Sequence, residues 1–146
     1  MDIFYVRALI TGLIVFFNMQ YSNAQNIKDT MVNIDFTIRV DSNIIEDQGH
    51  FIQVKDLTTG KDFSIYGFAS LVLNFEYCKL YTVTVSRHNT NKKTIYVETD
   101  APRSEWYIIS GFNLTVKDTA SIIAGSIRYD TQLNKFIKST DINFKK

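Results

Sequence analysis

Residues 31–40 (MVNIDFTIRV) alternate: Val32, Ile34, Phe36, Ile38 and Val40 fall on one side, Asn33, Asp35, Thr37 and Arg39 on the other. Successive side chains of an extended chain point to opposite faces, so this period predicts a strand with one buried and one wet face. After the polar, turn-rich stretch 42–49 (SNIIEDQG), the alternation resumes at 51–57 (FIQVKDL). Thr58, Thr59 and Gly60 interrupt it. Glycine adopts positive φ at no steric cost, and TTGK between FIQVKDL and DFSIYGF therefore predicts a hairpin. Further along, Leu71, Leu73 and Phe75 share one face of 71–75, and Tyr81, Val83 and Val85 share one face of 81–85. The polar stretch 86–93 leads into 94–99 (TIYVET), where Ile95 and Val97 face inward, predicting a second hairpin. Residues 106–116 (WYIISGFNLTV) and 122–129 (IIAGSIRY) complete the set, with Gly111 and Gly125 as expected bulges or bends. The weakly patterned end, 132–146, is expected to fray or to add an edge strand.

No stretch beyond the first two dozen residues sustains an apolar stripe at i, i+3, i+4, i+7, so no long helix is expected. Seven or eight short strands separated by regular turn signals predict an all-β, antiparallel β-sandwich, transthyretin-like or immunoglobulin-like, rather than a closed barrel.

The amino terminus has a different pattern. In residues 1–24 (MDIFYVRALITGLIVFFNMQYSNA) Arg7 precedes the uncharged run 8–17, and polar and small residues follow. That order is the order of a cleavable signal peptide. The apolar run is about half the roughly 20 residues that a membrane-spanning helix needs. Ser22 and Ala24 occupy the −3 and −1 positions of a cut after Ala24. The expected organisation is a signal peptide over 1–24 and a single sandwich domain over 25–146, secreted or held in the periplasm or cell envelope, with no stable membrane span after cleavage. Cys78, the one cysteine, lies far from that cut and cannot carry a lipid there. Nor can one cysteine form an internal disulfide, so stability has to come from packing, which roughly 120 residues allow.

The composition narrows the chemistry. Of 146 residues, 45% are hydrophobic and 14% aromatic, and 16 basic against 15 acidic side chains leave a net charge of +1. Such a chain folds, and it lacks the broad basic field that recruits nucleic acid. His50, His88 and Cys78 show no metal-ligand spacing, so no metal and no cofactor is expected. The two histidines read as solvated loop residues, and Cys78 as a small buried hydrophobe. No Gly-x-Ser-x-Gly elbow and no phosphate-binding glycine loop occurs, and the carboxylates Glu46, Asp47, Asp100, Asp118 and Asp130 are scattered among turns. The expectation is a non-enzyme. Among 8 tyrosines, 11 phenylalanines and one tryptophan, Trp106 and Tyr107, just after the loop 101–105, are the candidate binding residues. Alternation requires one of those two to pack inward.

The stretch 51–99 carries FIQVKDLTTGKDF, then LVLNFEYCKLYTVTVSR, then KKTIYVETD. In that order it resembles the carboxypeptidase regulatory-like, transthyretin-like sandwich domains of small secreted bacterial envelope proteins. Residues 124–137 (AGSIRYDTQLNKFI) are similar to the tails of such proteins. The family's lysine-glycine-tyrosine turn is replaced by RHNTN at 87–91. The resemblance implies a scaffold or binding role and transfers no active-site residue. The expected function is thus a structural or protein-interaction module, with a carbohydrate- or peptide-binding module as the alternative. The partner would be another envelope or secreted protein, or a glycan. An unpaired sheet edge that accepts a partner strand is a further route to such contact.

Overall fold

The computed structural model describes residues 31–140. The expected signal peptide, 1–24, lies outside the described residues. The described residues form nine strands: β1 Met31–Val40, β2 His50–Asp56, β3 Asp62–Gly67, β4 Ser70–Glu76, β5 Leu80–Arg87, β6 Lys92–Glu98, β7 Trp106–Leu114, β8 Ser121–Asp130 and β9 Lys135–Ser139. Among the described residues there is no helix.

The strands make two sheets. One has three strands in the order β4-β1-β7, the other six in the order β3-β2-β5-β6-β8-β9. Side chains from both sheets meet in one apolar cluster: Val32, Ile34, Phe36 and Ile38 from β1, Phe75 from β4 and Leu114 from β7 face Ile52, Val83, Val97 and Ile127 of the larger sheet. Burying this apolar surface is the main favourable term in folding, at about 25 cal/mol per Å².

Both expected hairpins form. β2 and β3 pair antiparallel from Phe51 with Tyr66 to Lys55 with Asp62, and β5 and β6 pair from Leu80 with Glu98 to Val85 with Lys93. Two features differ from the sequence expectation. The strands number nine rather than seven or eight, because β3 is a full strand and the weakly patterned end supplies β9, which adds an edge by pairing with β8. The sheets are also mixed rather than antiparallel: β1 runs parallel to β7, and β6 parallel to β8. A buried-face alternation is the same for either direction of pairing, and a parallel pair is set by the long connection between its strands.

The two strand glycines serve different ends. Thr94 pairs with Ile123 and Ile95 with Gly125, which leaves Ala124 as the extra residue of a bulge. Gly125 has φ of 132°, and a Cβ there would run into the Ser139 carbonyl oxygen. Gly111 sits in unbroken register with Thr37, so no bulge forms there. Its missing side chain instead permits close approach, since a Cβ would lie 2.7 Å from the Thr37 oxygen.

Gly125→Ala is expected to cost about 3 kcal/mol, the upper end of backbone strain at one residue. Gly60→Ala, also at positive φ but with nothing within 4 Å, is expected to cost about 1 kcal/mol. Urea unfolding of the two variants side by side measures the difference; equal midpoints would contradict the account of Gly125.

Candidate functional site

Trp106 and Tyr107 are neighbours on β7 and therefore project to opposite faces of the smaller sheet. Trp106 shares its side with Ile108, Ser110, Phe112 and Leu114 and turns inward. Its ring packs edge-on against Tyr129 and Phe136, 5.3 and 5.4 Å between centroids, and its Nε1–H donates to the Pro102 carbonyl at 2.9 Å. Tyr129 and Phe136 are register partners on β8 and β9, so this aromatic cluster joins the two sheets.

Tyr107 points out and is 61% exposed. Its hydroxyl donates to Asp35 Oδ2 at 2.9 Å. The carboxylate that accepts this proton, with local desolvation and the carboxylate's charge, raises the phenol above its ordinary value. Asp35 lies between Val72 on β4 and Ile109 on β7 in the register of the sheet. Val72, Ile109 and Tyr107 are all exposed, and together they form an apolar band across the outer face with one carboxylate at its centre. The predicted pair is thus split: Trp106 braces the core, and Tyr107 alone is presented outward.

A second exposed apolar region is β3, at one edge of the larger sheet. Phe63, Ile65 and Tyr66, with Phe68 just past the strand, stand in solvent, Tyr66 by 72%. Phe63 and Ile65 are opposite the buried Val54 and Ile52, so they lie on the core side of the sheet but beyond the reach of the smaller sheet.

Charged groups gather in two places, each with an architectural role. Asp56, at the end of β2, accepts the amides of Thr58 and Thr59 on Oδ1, and the Thr59 hydroxyl and the Lys79 ammonium on Oδ2. Burial raises this carboxyl, but those donors outweigh it and hold the group well below the carboxylate range. Lys79 also reaches Glu76 at 2.5 Å, so the cluster fastens the β2-β3 turn to the start of β5. In the other place, Arg87 grips Asp47 with both terminal nitrogens, at 2.5 and 2.6 Å.

His50 lies beside that pair, and here the sequence reading is corrected. It is fully buried as the first residue of β2, not solvated in a loop. One ring nitrogen, Nε2, is 3.4 Å from the Ile45 carbonyl and donates to it; Nδ1 has no partner among the described residues. Desolvation lowers its pKa, the Ile45 carbonyl and Asp47 oppose this, and the Arg87 charge adds to the lowering. Cys78 is also corrected: it is exposed, in a turn with φ of 57°, not a buried hydrophobe. Among the described residues no three His, Cys, Asp or Glu side chains converge as a metal site would require.

What the sequence reading missed lies along β7. The Ser110 hydroxyl is buried, at 4% exposure, and has no hydrogen-bond partner among the described residues. It lines two adjoining cavities of about 250 and 350 Å³ between β7 and the β8-β9 edge, and Lys138 stands in the wall of both. The signal for Ser110 was available, because it breaks the apolar series Ile108, Phe112, Leu114 on the inward side of β7. Lys138 had no such signal.

No family model matches the chain, and no curated protein or solved structure does either. The likeness to transthyretin-like domains rests on the residues quoted for it.

The buried, neutral His50 makes stability depend on pH. Its folded pKa lies below the ordinary 6.5, so as pH falls through about 6.5 the unfolded chain takes up the proton first and stability drops. Urea midpoints are expected to fall between pH 7.5 and pH 5.5. The His50→Leu variant, which removes the buried imidazole, is expected to show a smaller fall over the same interval. An equal fall in both proteins would assign the pH dependence to another group.

Proposed function

We propose that this chain is a transthyretin-like β-sandwich module, exported to the cell envelope or beyond, that acts by surface contact and carries out no reaction. The single observation that carries the reading is the amount of large apolar side chain left in solvent on strands rather than loops: Phe63, Tyr66, Val72, Tyr107 and Ile109. Monomeric soluble proteins rarely leave contiguous apolar patches open unless something binds there. Two sheets sharing one core support the sandwich layout. Export is supported by the order of residues 1–24, a basic residue, an apolar run and small residues at the cut. The partner is another envelope or secreted protein. A glycan is the second reading, favoured by the one exposed ring of the predicted pair, Tyr107.

Expression of the full chain followed by fractionation and N-terminal mass analysis tests the reading. The expected product begins at Gln25, lies outside the cytoplasmic membrane and turns over no ester, peptide or glycoside substrate. An uncut chain retained in the cytoplasm, or hydrolysis that copurifies with the protein, would overturn it. On a glycan array, retention abolished by Tyr107→Ala would move the partner from protein to carbohydrate.

A further inference from the structure

Among the described residues β7 is the outermost strand of the smaller sheet and pairs with β1 alone. In a parallel ladder a residue turns both its N–H and its C=O to the same side, and the next residue turns both to the other. The Asp41 N–H donates to the Leu114 carbonyl at 2.9 Å, just beyond the register pair Val40 and Leu114. That bond fixes the phase. Leu114, Phe112, Ser110 and Ile108 direct their peptide groups to β1, and Tyr107, Ile109, Gly111 and Asn113 direct theirs to the open edge.

Below this edge lies the core-side face of β8 and β9. Ile127 is paired with Lys138, and Tyr129 with Phe136, so Lys138 rises from the same face as the ring that Trp106 covers. The two cavities share Ser110, Gly111 and Lys138 in their walls, and together they form one trough alongside β7. Toward the start of β7 the trough meets the cluster of Trp106, Tyr129 and Phe136.

Three further observations give the trough a chemistry. The buried Ser110 hydroxyl on its wall has no partner among the described residues, a costly arrangement unless something brings one. Gly111, in the wall of both cavities, offers an outward peptide group midway along the edge. Among the described residues the charged groups in the walls, Arg39 and Lys138, are both cationic, neither is ion-paired, and no carboxylate lines either cavity. The nearby Asp35 is engaged by Tyr107.

We propose that the open edge of β7 is a docking site for an extended peptide segment of a partner protein, added as a fourth strand to the smaller sheet, with carboxylate side chains set between Arg39 and Lys138. Backbone pairing gives the segment its affinity, and the two cations select acidic side chains at alternate positions. The outward groups from Tyr107 to Asn113 match about six residues of guest strand. This site deepens the interaction-module reading and rests on it. Binding measured on purified protein is independent of where the cell places the chain, so failed binding with export intact removes the site and leaves the module.

The test uses protein purified from cells expressing the full chain and two labelled peptides, TEVEVET and TKVKVKT. Fluorescence anisotropy is expected to show at least a tenfold preference for the acidic peptide. Amide hydrogen exchange is expected to slow at Ile109, Gly111 and Asn113 when it binds. Ile109→Pro removes one outward N–H without touching the bonds to β1 and is expected to weaken binding tenfold or more. Should that variant fail to fold, R39E combined with K138E, both at exposed positions, is expected to reverse the preference between the peptides. Equal binding of both peptides, or unchanged exchange along β7, overturns the proposal. So does protection of Ile109 and Gly111 in the free protein, whether lost on dilution, which assigns the edge to a second copy, or lost on deleting 141–146, which assigns it to the chain's own end.

Discussion

Everything in this fold is arranged around the burial of one side of β1. Val32, Ile34, Phe36, Ile38 and Val40 are almost wholly withdrawn from water. A central strand can be that apolar only if its own peptide groups are satisfied on both flanks and a second layer lies over it. β4 and β7 supply the flanks, one antiparallel and one parallel, and β2, β5 and β6 supply much of the cover. Phe36 against Phe112 and Phe75 against Tyr81, with ring centroids 5.5 and 4.9 Å apart, fill the space between the layers.

Three strands cannot cover six. The larger sheet extends past the smaller one at both ends, and the two ends are managed differently. At the β8-β9 end, Trp106 reaches across to Tyr129 and Phe136, and a polar trough with two cations remains beside β7. At the β3 end no comparable bridge exists among the described residues, and Phe63 and Ile65 stay exposed on what would otherwise be the core side. An edge strand of that character invites pairing, which other proteins suppress with charge, proline or a bulge. The uneven sheets thus put the surfaces open to contact at the lateral ends of the fold.

Period two was enough to locate the strands that line the core, β1, β2, β5 and β7 above all, because each has one inward face whose residues share parity. It also contained more than was taken from it. Extending the series Ile52, Val54 by one step in each direction reaches His50 and Asp56, the two buried polar residues of β2. The same step along β7 separates Trp106 from Tyr107. Strand direction was not legible, since parallel and antiparallel neighbours bury the same alternate residues. The placing of Arg39 and Lys138 in the wall of one cavity was also hidden, because the two lie about a hundred residues apart in the chain and on different sheets. Cys78 escaped for a local reason: it occupies a left-handed turn where hydrophobic character says nothing of exposure.

The parallel pairing of β1 with β7 has a consequence in time. Of the described strands, the first to leave the ribosome lacks one of its two neighbours until the chain has grown past Leu114. Until then one flank of β1 has no strand to pair with, and the nascent polypeptide cannot close its shorter layer.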